Sequence, residues 1–220
     1  MNIRHIIFDC DGVLVDSEEI SMSVDGALLA ANGVEISPAE MHRRFVGMTF
    51  QGMIDEIEAE RGIKLPGDLE AQKDVAMLEA YRRELQSVHH VADALGNIAL
   101  AKSIGTNGPR HRALEALRIV NIDHHFAGRL TTFEDVVNGK PAPDIYVLAA
   151  SRAGVSPHQC LVVEDSITGA TSAVAAGCPT LGFTGTHANR AAHALKLIEA
   201  GCFRVFDDMA DLPAIVKALT

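Results

Sequence analysis

Short apolar runs and longer amphipathic stretches alternate through most of the chain. Apolar runs near residues 3–8, 98–104, 160–164, 179–183 and 203–206 are bounded by Gly, Pro or Asp. This pattern predicts short strands of a parallel sheet buried on both faces. Helical stretches fall between them. Gly108-Pro109 opens a helix running to about Arg118, and Pro143 opens another to about Ala153, because the fixed φ and missing N–H of proline suit a first turn. Ile167 to Ala176 is a helix rich in small residues, stopped by Gly177. The alternation predicts an α/β doubly wound sheet, which binds ligands at the carboxyl ends of its strands.

From Asp16 to Ser87 the pattern is helical, with no convincing strand. Glu18 to Ala31 reads as a helix stopped by Asn32-Gly33, and Ser37-Pro38 starts a second. Thr49 to Arg61 is a third, ended by Gly62, and Leu69 to Leu85 is a long charged helix. The expected organisation is therefore a core of residues 1–15 and 88–220, interrupted by a helical domain of residues 16–87.

Composition narrows the function. The 220 residues are 48% apolar and 22% charged, ordinary globular values that allow a sizeable core. A net charge of −10 without a basic run argues against a nucleic-acid partner. No run of about 18 apolar residues suggests a membrane span, and the early first strand leaves no room for a signal peptide. Cys10, Cys160, Cys178 and Cys202 show no C-x-x-C spacing. Three of them lie in or beside buried strands and read as reduced core thiols. A cytoplasmic protein, monomeric or weakly homo-oligomeric, is expected.

Four segments carry the chemistry. The first apolar run ends in Asp9-Cys10-Asp11-Gly12, two carboxylates on alternate residues at a strand tip, followed by a glycine that permits a tight turn. Such a pair is costly at a buried edge unless a cation or substrate uses it. Thr106-Asn107-Gly108 supplies a hydroxyl at another strand end. Gly139-Lys140-Pro141-Ala142-Pro143-Asp144 sets a lone lysine before a helix start, and Cys160-Leu161-Val162-Val163-Glu164-Asp165 ends in two more acids. Taken singly, Lys140 is an ordinary surface lysine, Thr106-Asn107-Gly108 a helix cap, and Glu164-Asp165 a helix N-terminus. The paired histidines His89-His90 and His124-His125 lack matched acid or Cys spacing and read as surface or boundary residues.

In this order the four motifs resemble the haloacid dehalogenase-like superfamily, closest to its sugar-phosphate phosphatase and beta-phosphoglucomutase branch. The resemblance covers essentially the whole chain. It implies a Rossmann-like core with an inserted all-helical cap, and a Mg²⁺-dependent phosphoryl transfer on a small phosphorylated metabolite. Asp9 is then the nucleophile and Asp11 the general acid and base. The protein ligands of Mg²⁺ are Asp9, the backbone carbonyl of Asp11 and Asp165, with Glu164 binding through water or standing one step back. Thr106 and Asn107 meet the phosphoryl group, and Lys140 neutralises it together with the nucleophile.

Asp11 favours an oxygen leaving group, since true dehalogenases lack the second Asp. Beta-phosphoglucomutases carry His, Lys and Arg in the cap where this chain has Ser21, Val46 and Phe50. A phosphatase is therefore expected ahead of a phosphomutase or a non-catalytic phosphate-binding protein. Arg43-Arg44-Phe45 before Gly47 is similar to the cap of 6-phosphogluconate phosphatases, where Arg44 would clamp the far end of a substrate or hold the cap structurally.

Overall fold

The computed structural model describes residues 1–45 and 48–220. They form two compact units, Met1–Asp16 with Gln86–Thr220, and Ser17–Leu85.

The first unit is built on six parallel strands, β1 (His5–Phe8), β4 (Ala101–Thr106), β5 (Leu130–Thr132), β6 (Cys160–Glu164), β7 (Thr180–Phe183) and β8 (Arg204–Phe206). Their order is β5-β4-β1-β6-β7-β8. A small antiparallel ribbon, β2 (Val15–Asp16) with β3 (Gln86–Ser87), marks where the chain leaves this unit and returns. The crossovers carry α5 (Val91–Asn97), α6 (Arg110–Ile119), α7 (Asp144–Ala153), α8 (Ile167–Ala175) and α9 (Arg190–Glu199), and α10 (Leu212–Lys217) follows the last strand. Every residue of β1, β6 and β7 is buried, as a sheet covered on both faces requires. On one face Tyr146, Ala149 and Ala150 of α7 pack with Ile7, Cys160 and Val162. From β1 the chain winds to β4 and β5 on one side, then returns to β6 on the other. The switch point therefore lies between β1 and β6, where a doubly wound sheet opens a crevice at its carboxyl edge.

Strands β4 and β5 differ from the expectation, and β3 lies at the end of a stretch read as helical throughout. The strand expected at 98–104 runs instead from Ala101 to Thr106. Its polar residues are each accounted for. Buried Lys102 donates to the carbonyls of Ile98 and Leu100 at 2.6 and 3.2 Å, and Ser103 Oγ bonds His5 Nε2 at 2.8 Å. Gly105 leaves room for α7, since a Cβ there would come within 3.1 Å of Ile145 and 3.2 Å of Tyr146. The edge strand β5 has only three residues, too short for a periodic signal.

The second unit contains α1 (Glu18–Ala31), α2 (Pro38–Phe45), α3 (Phe50–Arg61) and α4 (Leu69–Glu84). Its core gathers Leu29, Val34, Met41, Phe45, Ile57 and Leu69 among others. The Thr49 side chain caps α3 by accepting from Gly52 N–H, and Gly62 ends it in the left-handed region at φ 65°. Among the described residues no helix is long and apolar enough to cross a membrane. All four cysteines are free and buried.

Candidate active site

β1 and β6 run in register, Phe8 opposite Val163, so the next residues, Asp9 and Glu164, meet at the switch point. The Asp9 N–H donates to the Val163 carbonyl at 3.0 Å, fixing the strand tip. One oxygen from each of Asp9, Glu164 and Asp165 lies within 4.8 Å of the others, and all three residues are buried. Lys140 is their counter-charge. Its Nζ donates to Asp9 Oδ1 and Glu164 Oε1, both at 2.6 Å, and its side chain is 4% exposed. Burial alone would lower its pKa, but the two carboxylates outweigh burial and hold it above the usual lysine value. Burial pushes the Asp9 carboxyl well up; Lys140 opposes that shift, and Glu164 and Asp165 add to it.

Lys140 stands before a helix start, as the sequence suggested. It sits in the turn four residues before α7, its peptide bond to Pro141 cis. Asn107 holds that turn by accepting from Lys140 N–H at 2.8 Å and donating to its carbonyl at 3.1 Å. Thr106 is the last residue of β4, and its Oγ1 accepts from Gly108 N–H at 2.9 Å. Asp11 adjoins it: a Cβ on Gly108 would lie 3.3 Å from Thr106 Oγ1 and 3.5 Å from Asp11 Oδ2.

Two glycines let the backbone close on the acids. Gly12 has φ 76°, and a Cβ there would stand 2.0 Å from Asp165 Oδ2, so both its conformation and its space exclude a side chain. A Cβ on Gly169 of α8 would overlap the Glu164 carboxylate, 1.7 Å from Oε1. Glu164 is saturated by protein donors. Besides Lys140, Tyr146 Oη donates to Oε1 at 2.6 Å, and Ser166 donates its N–H and Oγ to Oε2 at 3.1 and 3.0 Å.

Asp9, Lys140, Glu164 and Asp165 are thus brought together, with Thr106 at the tip of β4 and Asp11 and Asn107 on the adjoining loops. Arg44 belongs to the helical unit, where its guanidinium meets Glu40, Glu56 and Glu60 at 3.1, 2.9 and 2.6 Å. Gly47 and Val46 lie outside the described residues. Sequence reasoning missed Tyr146, which reads as a core aromatic, and His187 and His193, which adjoin Asp165 from a loop and helix without motif spacing.

Three buried carboxylates stand beside one ammonium, and with Glu164 taken up by protein donors the oxygens of Asp9 and Asp165 are the hard donors close enough to share one ion. The set fits a hard divalent cation.

The doubly wound sheet thus carries an acid pair at each of two neighbouring strand tips, with a buried lysine between them. The sequence profile of haloacid dehalogenase-like hydrolases matches residues 3–177, and the chain belongs to that family. It is 29% identical to 6-phosphogluconate phosphatase of Escherichia coli (strain K12) over 220 residues, covering 98% of this chain and 96% of that one. The crystal structure of a conserved haloacid dehalogenase-like protein of unknown function from Agrobacterium tumefaciens superposes with a TM-score of 0.85 at 37% identity, covering 99% of each chain. A family hydrolase from Deinococcus radiodurans, solved with bound phosphate and sodium, superposes with a TM-score of 0.81 at 28% identity, covering 99% of this chain and 96% of that one. The protein is an enzyme of this hydrolase family, with named relatives that are phosphatases.

Proposed function

We propose that the enzyme is a Mg²⁺-dependent phosphatase for a small phosphorylated sugar or sugar acid. The observation that carries this reading is the buried Asp9 at the switch point, clasped by Lys140 and flanked by Asp165 and Glu164. Phosphate monoesters are among the slowest of substrates to hydrolyse, and enzymes accelerate such reactions by up to ~10²¹-fold. A carboxylate nucleophile divides the barrier in two. An Asp9 oxygen forms a bond to phosphorus as the bond to the leaving oxygen breaks, and Asp11 gives that oxygen its proton. Water then attacks the aspartyl phosphate, Asp11 takes a proton from it, and Asp9 is released with inorganic phosphate.

Lys140 keeps Asp9 in place and offsets phosphoryl charge, and Asn107 holds the Lys140 turn. Thr106, at the tip of β4, is the hydroxyl offered to a phosphoryl oxygen. A cation held by Asp9, Asp165 and the Asp11 carbonyl would add charge neutralisation at the phosphoryl oxygens. Glu164 acts from behind by orienting Lys140, because its own oxygens are taken up by Lys140, Tyr146 and Ser166. The helical unit is read as the cap. There the three glutamates around Arg44 support a structural tie over a substrate clamp. The name of the E. coli relative supports the sugar-acid class. Buried free thiols and the −10 charge support a cytoplasmic enzyme acting on metabolites and not on nucleic acid.

Water is the acceptor in this reading, since Ser21, Val46 and Phe50 offer no cation for a second phosphate. The test is phosphate release from a panel of sugar and sugar-acid phosphates with and without Mg²⁺, for wild type and Asp9→Asn. Release should require Mg²⁺ and vanish in Asp9→Asn while circular dichroism shows the variant still folded. Retained turnover in Asp9→Asn would disprove the nucleophile. Conversion of beta-glucose 1-phosphate, primed with the 1,6-bisphosphate, to glucose 6-phosphate without free phosphate would establish the mutase instead.

A further inference from the structure

The segment after β7 brings two histidines to Asp165 that the reaction above does not use. The rings of His187 and His193 stack, with centroids 3.6 Å apart and planes at 22°. Both Nε2 atoms meet one acceptor, the main-chain carbonyl of Asp165, at 3.2 Å from His187 and 2.5 Å from His193. A carbonyl oxygen only accepts, so Nε2 carries the proton in each ring. The His187 Nε2 is also 3.4 Å from Asp165 Oδ2, which spreads one N–H between the main-chain and side-chain oxygens of the same residue.

The segment is anchored at the other strand tip too. Thr186 donates Oγ1 to the Gly12 carbonyl at 3.1 Å, and Gly12 is the residue pressed against the Asp165 carboxylate. His193 is fixed by α9, whose first turn is capped by Asn189 accepting from Ala192 N–H. Packing does not account for the histidines. Leu197 of the same helix is fully buried and docks α9 on the sheet, whereas both imidazoles are partly exposed and converge on a single peptide group.

We propose that His187 and His193 are positioning residues that set the direction of the Asp165 carboxylate for the divalent cation. The inference rests on the reading of Asp165 as a cation ligand. A carboxylate whose backbone and rotamer are fixed beforehand loses less freedom on binding the ion, and removal of such outer partners typically costs about 10–100-fold in metal affinity.

The experiment is calorimetric titration of Mg²⁺ into the metal-free enzyme for wild type, His193→Leu, His187→Leu and His193→Gln, with melting curves in the absence of metal. Leu keeps bulk without a donor, and Gln returns an amide N–H near the place of Nε2. His193→Leu should weaken Mg²⁺ binding at least about tenfold with an unchanged melting temperature, and His193→Gln should recover most of the loss. Should His193→Leu fail to fold, His187→Leu is read in the same way. Wild-type affinity in the Leu variants, or a loss that Gln does not repair, overturns the inference while leaving the metal reading intact. A wild type that takes up no Mg²⁺ overturns both.

Discussion

Glu164 is the most constrained acid of the centre. Four donor groups fill its two oxygens, and Gly169 closes against it with no room for a methyl group. One of those donors, Tyr146, sits in the apolar core on α7 and turns only its hydroxyl to the site. Tyr146→Phe leaves the ring in place and takes away one hydrogen bond to a buried, charged acceptor. Such a bond contributes about 1.5–3 kcal/mol, so urea unfolding should show a loss of that order. Phosphate release should slow severalfold through kcat, because Lys140 is then held by a looser Glu164, with KM little changed. Unfolding and kinetics both at wild-type values would show that the bond does nothing. The acids and Lys140 were legible in the sequence, because side chains that would be expensive to bury recur at strand tips in a fixed order. Tyr146 was not, since its area belongs to the core and its tip to the site. Nor were His187 and His193, whose partner is the main-chain carbonyl of Asp165, just past the end of β6.

Among the elements, those with end signals were the most legible. Helix α3 begins at the Thr49 cap and ends at Gly62, and α7 ends at Gly154 in the left-handed region. The ribbon of β2 and β3 has two residues per strand, fewer than one full alternation, so no pattern marks it. Strand β4 was displaced in the reading because its polar residues are satisfied by partners distant in sequence or by the preceding turn, which no local periodicity reveals. Helices α1 and α4 carry a further element-scale feature. Lys73 Nζ lies 2.8 Å from Asp25 Oδ1, with side chains 11% and 8% exposed, and 4.4 Å from the centre of the Phe50 ring. Asp25→Ala strands a buried ammonium, and breaking such pairs costs about 3–5 kcal/mol. Replacing both at once, Asp25→Leu with Lys73→Met, removes the desolvation cost along with the attraction and should leave stability nearly unchanged or raised. The chain has no Trp, so circular dichroism at the helical band is the readout. A single variant as stable as wild type would mean that the pair contributes little to holding α1 on α4.

At the scale of the molecule, acid should weaken the fold first through His5. This residue is 3% exposed inside β1 and bonded to Ser103 of the neighbouring strand. Burial, with Arg129 adding to it, pushes its pKa down from 6.5 to about 4. In that window the unfolded chain binds a proton that the folded chain refuses, so stability rises with pH. The contribution is complete above about pH 6.5 and is lost as pH falls towards 4. Asp135, hydrogen-bonded by Arg152 and held down at about 2, acts only at lower pH: its contribution is present above the ordinary Asp value and lost as pH falls towards 2. The raised carboxyl of Asp9 has the opposite sign to His5, since the folded state then takes up its proton first. A comparison that keeps Asp9 constant removes it. Urea midpoints of wild type and of the double variant His5→Leu with Ser103→Ala should therefore be measured at pH 7.5, 6 and 5. Wild type should lose more than the variant between the first and last values, because only wild type must exclude a proton from the middle of the sheet. Parallel losses would show that His5 is not the group through which acid enters the fold.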